Sequence, residues 1–514
     1  MVGVPVATRG DAGSATTIAP APDGEATPLP EGFGLTMDPA TTTFEGGRVV
    51  MGGSPLRLLR LSRRARELTA AWNSGTTVGR RRTEQLLARR LVSSGVFLPR
   101  PGSGTFTTGD VTVIVPVRDR PEQLRRLLAA LGDLTCIVVD DASADAIVTE
   151  EIARKAGASF IGLPVNRGPS SARNRGLAAA TTPLVAFVDS DCLPSDGWLS
   201  PLLGYFDDPL VAAVAPRIVP TPATAPTALA RYEAVRSSLD MGAAEGLVRP
   251  LSRIPYVPSA AIVVRRAAAG DPFFDPDLRG GEDVDLVWRL SAAGWDVRYV
   301  PRCTVVHDGP PALWPWLRRR AFYGTTAGPL AIRHPSALAP LSASAWSVAA
   351  WGFAVARRPL LALTTLAASI LVLARRLDGL VQAPVKVAAT IAGGGTAKSA
   401  VPALSGLTRA WAPACVLGLC FRRTRRGAAM ALLAPAVNAW VAKPGDLDPV
   451  RYAVLHVVDD VAYGTGVWAG CLKARTVRPL LPRVTVRSRV WSSRSLRTHL
   501  GDHGGDDAIM QGHP

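Results

Sequence analysis

Four apolar runs with strand character punctuate one stretch of this chain: VTVIVPV (111–117), CIVVDD (136–141), SFIGLPV (159–165) and LVAFVDSD (184–191). Between them lie the amphipathic stretches RPEQLRRLLAAL, DAIVTEEIARKAG and GPSSARNRGLAAA. Strand, helix and strand repeated at this spacing predict a parallel sheet with right-handed crossovers and both faces covered. Ligands of such sheets bind outside the carboxyl ends of the strands. Four polar clusters stand at those ends: Pro116 to Asp119, Asp140 with Asp141, Asn166 to Gly168, and Asp189 to Asp191.

Asp189 and Asp191 flank Ser190 at the mouth of an apolar strand, where each carboxylate costs free energy unless something neutralises it. Either they cap the next helix or they hold a cation. The first strand is followed by RDRPEQ, without GxGxxG, and no P-loop occurs, which disfavours a dinucleotide dehydrogenase. Mg²⁺ or Mn²⁺, by contrast, takes one or two protein carboxylates together with substrate phosphate oxygens. Such a cation offsets the charge of a departing diphosphate. Asp140, at the end of the second strand, is placed to accept hydrogen bonds from a nucleoside.

A second cluster, GGEDVDLVWRLSAAGWDV, opens a helix with Glu282 and Asp283 in its first turn. The helix dipole alone favours carboxylates there. The chemical reading makes Asp283 a general base that takes the proton of an attacking hydroxyl. His307, in VVHDG after another strand-like run, is a candidate further ligand of the cation. Arg173, in the first turn after its strand, is a candidate diphosphate contact, whereas Arg175 reads as a solvated helix charge.

Around this core the chain divides. Residues 1–45 show no periodicity and read as a disordered leader. Residues 46–98 read as a small module: a hairpin in GGRVVMGGSPLRLLRLS, a capped helix in SRRARELTAAWNSG closed by Gly75, and a second helix with Leu86, Leu87 and Leu91 on one face. PRPGSG (99–104) reads as a linker to the catalytic domain, 110–330. Residues 331–475 carry uncharged runs at 335–356, 359–374, 410–421 and 427–442, with arginine pairs at 357–358, 375–376, 422–423 and 425–426. Of the net charge of +17, most lies here: from Arg357 onward there are 21 Lys and Arg against 8 Asp and Glu. This pattern predicts attachment to the cytoplasmic face of the cell membrane, peripheral or multi-pass, with buried helices as the plainer account. Residues 476–514 read as a basic flexible tail. That tail lacks interleaved aromatics, so nucleic acid is not expected as a partner. The six cysteines show no zinc-like spacing and suit a reducing compartment. No secretory signal is visible at the N-terminus.

VIVPVRDRPEQLRRLL, IVVDDAS, NRGPSSARNRGL, VAFVDSD and GGEDVDLVWRLSAAG, in this order over 111–310, resemble family-2 glycosyltransferases of the GT-A fold, a Rossmann-like mixed α/β sheet. The resemblance implies that Pro116, Asp119, Asp140, Arg173 and Ser190 contact the nucleotide sugar. It further implies that Asp189 and Asp191 hold the metal, with His307 the candidate further ligand read above, and that Asp283, with Glu282 beside it, is the base of an inverting transfer. The QxxRW motif of processive synthases is absent; WPWLRRRAFYG (314–324) stands in its place. GGSPLRLLRLS with LLARRLVSSGVFLPRP resembles the winged-helix-like peptide-chaperone domain of ribosomal-peptide cofactor pathways. That domain order resembles the mycofactocin-system glycosyltransferases, a family taken to add β-1,4-linked glucose from UDP-glucose to mycofactocin or its precursor peptide. Two alternatives stay open: a lipid or cell-wall glycan acceptor, and a membrane-bound peptide-binding scaffold with an inactive transferase domain.

Overall fold

The computed structural model describes residues 18–485 and 510–512, apart from 25, 54, 222–226, 310–311 and 444. Structure begins inside the segment expected to be a disordered leader. Residues 1–17 lie outside the described residues, but Leu29, Phe33 and Leu35 are buried core, and β1 (Gly34–Met37) and β2 (Thr42–Phe44) follow them. Strands of three or four residues are too short to leave a readable alternation, which is why the expected boundary at 46 falls late. The hairpin is as read: β3 (Val49–Gly52) pairs antiparallel with β4 (Arg57–Leu61). Ser62 caps α1 (Arg63–Asn73), its side chain accepting from the Ala65 amide at 3.2 Å. Helix α2 (Arg82–Ser93) buries Leu87 and Leu91 and leaves Leu86 half-buried. β5 (Phe97–Arg100) returns to pair with β1, so the expected linker starts as a strand. Trp72 meets Phe97 edge-on, with centroids 6.4 Å apart, at the centre of this module.

The catalytic domain alternates as the spacing required: β6 (Val111–Val117), α3 (Pro121–Leu131), β7 (Cys136–Asp140), α4 (Ala146–Lys155), β8 (Ser159–Gly162), α5 (Pro169–Ala179) and β9 (Leu184–Val188). It continues through β10 (Cys192–Pro194), α6 (Ser200–Leu203), β11 (Val211–Pro220), α7 (Ala228–Arg236), β12 (Gly246–Leu247), β13 (Ala261–Arg265), α8 (Glu282–Ala292) and β14 (Asp296–His307). Among the described residues these strands form one mixed sheet, ordered β10-β14-β11-β13-β9-β6-β7-β8, with β12 on β14. The β9-β6-β7-β8 half is parallel, and β13 runs antiparallel to both β9 and β11. From β6 the chain moves outward to β7 and β8, then returns to β9 on the other side, so the switch point lies between β6 and β9. There the strands part. Pairing of β6 with β9 ends at Ile114 and Phe187, while pairing with β7 runs on to Val117 and Asp140. Pro116, which has no N–H, sits just past the last rung to β9.

The module is bolted to this domain at the far end of the sheet. Arg89 of α2 donates to both oxygens of Asp208, at 2.7 and 2.6 Å, with both side chains 2% exposed. Asp208 stands just before β11 begins. Arg253–Asp38 and Arg100–Glu245, each at 2.8 Å, add to the joint.

After β14 come α9 (Leu313–Thr325), α10 (Ala327–Arg333), β15 (Ser342–Ser344), α11 (Ala345–Val355), α12 (Pro359–Leu377), α13 (Pro384–Ala388), α14 (Gly395–Leu419), α15 (Arg425–Ala442) and α16 (Pro449–Lys473). α16 crosses α9 almost backbone to backbone: a Cβ on Gly324 would stand 2.8 Å from the Val467 nitrogen, and one on Gly470 2.9 Å from the Thr325 Cα. Beside the crossing, buried Asp459 accepts from the Tyr232 hydroxyl at 3.1 Å and pairs with Arg320 at 3.2 Å and Arg236 at 3.6 Å. The expectation of membrane attachment bears on these helices. Among the described residues one helix, Pro359–Leu377, is long and apolar enough to cross a membrane, and its Ala374 and Leu377 are buried beside Val49 of the module. α14 contains Pro402, Pro413, Lys398 and Arg409, and α16 contains the buried His456, Asp459 and Asp460. Of the expected tail, β16 (Arg483–Thr485) pairs with β15 and β17 (Met510–Gly512) with β4; residues 486–509 lie outside the described residues.

Candidate active site

Every polar cluster singled out in the sequence arrives at one rim of the sheet, around the opening between β6 and β9. Asp119, at φ 54°, accepts from the Ala144 amide at 2.8 Å, and its own amide donates to Ser143 at 2.9 Å. Asp140 is buried and holds Ser143 through both oxygens, one of them from the Ser143 amide at 3.0 Å. Asp141 accepts from the Arg167 and Gly168 amides at 2.8 Å each and fixes the start of α5. Pro116 and Ser190 are buried beneath this rim.

Across the opening, Arg120 pairs with Asp191. His307, carried in by the pairing of β14 with β10, places Nε2 3.6 Å from the same carboxylate. Among the described residues no group of three or more His, Cys, Asp or Glu side chains is arranged to hold a metal ion. Asp191 and His307 nevertheless present an oxygen and a nitrogen donor side by side. A small divalent cation completes such a set with phosphate oxygens and water.

Arg173 departs from the expected diphosphate contact. Its guanidinium is 2% exposed and lies between two carboxylates, Nη2 donating to Asp189 at 2.6 Å and Nη1 to Glu282 at 3.0 Å, with the Phe274 ring 5.3 Å from its centre. Burial alone would lower its pKa, but Asp189 and Glu282 outweigh that and raise it. Burial raises the Asp189 pKa in turn, against the pull of Arg173. The arginine therefore ties the loop after β9 to the start of α8, a role that a single residue in a helical pattern does not announce.

At that helix start, Gly281 takes φ 75°, a turn a side chain would strain, and delivers Glu282 and Asp283 to the rim. Asp283 accepts from the Val284 amide at 2.8 Å and weakly from Ser259 at 3.4 Å. Burial, then the charge of Glu282, pushes its pKa up to about 7. Asp285, one turn inward, is held by Arg289 at 2.6 Å and His334 at 2.8 Å and is structural. At His307 a cleft opens, lined also by Trp316, Arg319 and Tyr323. The signal for this wall was present in WPWLRRRAFYG, but its partner on α16 is more than a hundred residues away.

The family model described as glycosyl transferase family 2 matches residues 112–269. The pre-mycofactocin glycosyltransferase of Mycobacterium tuberculosis is 40% identical over 474 residues, covering 89% of this chain and 99% of that relative. The glycosyltransferase AglE of Haloferax volcanii is 27% identical over 221 residues, 40% of this chain and 69% of its own. A mannosyltransferase of Pyrobaculum calidifontis, solved with GDP-Man and Mn2+, is 20% identical with a TM-score of 0.35, covering 67% of this chain and 90% of that one. The chain belongs to the family-2 glycosyltransferases, with the GT-A fold and a nucleotide-sugar donor.

Proposed function

We propose that this enzyme moves glucose from UDP-glucose, with inversion and β-1,4 linkage, onto mycofactocin or its peptide-derived precursor at the cytoplasmic face of the membrane. The observation that supports this most is the match to the mycobacterial relative, which spans 99% of that protein and so takes in the regions flanking the transferase domain. In this reading the nucleotide lies over Pro116, Asp119, Asp140 and Ser190, and Arg173 positions Asp189 and Glu282. Asp189, Asp191 and His307 face a divalent cation, which supplies positive charge to the leaving diphosphate. Asp283 takes the acceptor proton: a carboxyl with a pKa near the working pH is well matched to general-base catalysis. The module over residues 27–100 is the peptide-recognition element. Incubation of the purified protein with UDP-glucose and the peptide-derived acceptor, read by mass, gains 162 Da per transfer of a hexose; an acceptor that stays unmodified while a lipid acceptor is glycosylated overturns the reading.

The membrane surface enters through the C-terminal helices. Leu360 (76% exposed), Leu363, Phe421, Met430 and Val441 stand on the outside of α12, α15 and the turn between α14 and α15, beside the arginine pairs. Apolar side chains rimmed by arginine suit the interface of an anionic bilayer.

A further inference from the structure

The chain has seven tyrosines. Tyr205, Tyr232 and Tyr299 donate to Glu245, Asp459 and the Gly242 carbonyl, and Tyr452 bonds Arg236. Tyr256, Tyr323 and Tyr463 make no such bond among the described residues, although all three are half-buried. They come from three separate parts of the chain: Tyr256 and Tyr323 lie near Asp283, and Tyr463 lies near Tyr256. The Tyr256 phenol lies within electrostatic reach of Asp283, Tyr463, Arg409 and Tyr323, and Tyr323 lies within reach of Asp283 and Asp191.

The surrounding structure holds this arrangement. The segment bearing Tyr256 is pinned to α8 by Trp288, which donates to the Pro255 carbonyl at 2.8 Å, and by the Ser259 amide on Asp283. Tyr323 is carried on α9, whose Phe322 packs so closely on Gly280 that a Cβ there would stand 2.8 Å from its ring. Tyr463 is fixed by the glycine crossing of α16 on α9, and the Arg409 guanidinium sits 4.2 Å from its ring centre. A phenol that has no partner inside the protein, on a ring immobilised by packing, is an arrangement suited to a ligand. Rings of this kind offer an apolar face to one side of a sugar and a hydroxyl to its edge.

We propose that Tyr256, Tyr323 and Tyr463 form the acceptor subsite, and that it takes a pyranose ring, with its hydroxyl edge turned to the phenols and the attacking hydroxyl to Asp283. The C-terminal helices then complete the site through Tyr463 and Arg409. This deepens the function proposed above and rests on its assignment of Asp283. A glucosylated product presents such a ring to the same subsite.

The test uses the full chain with UDP and Mn²⁺, and cellotriose as the pyranose probe. Saturation-transfer NMR should show saturation of the cellotriose ring protons, and Tyr463→Ala and Tyr256→Ala should weaken its binding at least about tenfold. Tyr463→Phe keeps the ring and removes one hydrogen bond, so binding should weaken roughly two- to tenfold. UDP affinity, titrated in the same samples, should stay within about twofold in every variant, which also shows that each is folded; if an alanine variant loses UDP, the phenylalanine variant decides. Cellotriose that fails to bind the wild type, or binds the variants equally well, overturns the subsite. A wild type that does not bind UDP overturns the donor reading instead.

Discussion

Glu282 meets Arg173 in the interior at 3.0 Å, and among the described residues its neighbour Asp283 makes no ion pair of its own. Two adjacent carboxylates thereby acquire different chemistry. One is paired and holds the site together; the other keeps a high proton affinity in the first turn of α8. Asp283→Asn should lower turnover by a factor of about 10²–10⁴ and leave UDP affinity near that of the wild type. Glu282→Gln should loosen Arg173 and Asp189 and so weaken the donor complex. Steady-state rates and UDP titrations of both variants separate the two roles.

The pKa of Asp283 near 7 fixes two signs. Below that pH the carboxyl is protonated and cannot accept the acceptor proton, so the rate should fall about tenfold per pH unit on the acid side. For stability, the native state binds more protons than the unfolded chain between the ordinary Asp pKa of about 4 and the native value. Stability therefore declines as pH rises through that window. Asp283→Asn removes this decline, so its melting temperature relative to wild type should climb from pH 4 to pH 7. Thermal unfolding across that range measures it.

Chelation should abolish transfer, and Mg²⁺ or Mn²⁺ should restore it. Asp191→Ala removes the group that both Arg120 and His307 face. It should reduce metal-dependent binding of UDP-glucose at least about tenfold without unfolding the domain, as read by calorimetry with and without the ion. Full activity in excess chelator is the contrary result.

Attachment to membranes should be peripheral. The protein should sediment with vesicles rich in anionic lipid and come off as salt shortens the screening length from about 8 Å. Retention until detergent is added would mean that α12 spans the bilayer.

Breaking the buried pair that joins module to domain should be costly. Removing Arg89 or Asp208 alone strands the other charge in a dry place and should destabilise by roughly 3–5 kcal/mol. Arg89→Met with Asp208→Leu together should recover part of the loss, a non-additivity that chemical denaturation resolves.

The catalytic half of the fold was legible because its strands are uniformly apolar and end in acids at the same edge, a pattern independent of distant contacts. Asp140, Asp189 and Asp191 stand at that edge for this reason. What the sequence hid depends on long-range pairing. Arg173 looked like a ligand contact because its two carboxylates lie 16 and 109 residues away. Gly324, Gly466 and Gly470 are unremarkable until two helices cross at them. The Asp459–Asp460 pair of α16 is explained only by tertiary structure, through the arginines of α7, α9 and α14. The first strands of the module were missed because three or four residues carry no period.

The fixed seat of the module on Asp208 turns the molecule into a ruler. β11 runs from that joint to Pro220, whose register partner is His307. Ten strand residues at about 3.3 Å each separate the two by roughly 33 Å. Because the module is fixed at the first end, a load on it passes along a hydrogen-bonded strand to the rim, and the spacing cannot change without breaking the Arg89–Asp208 pair.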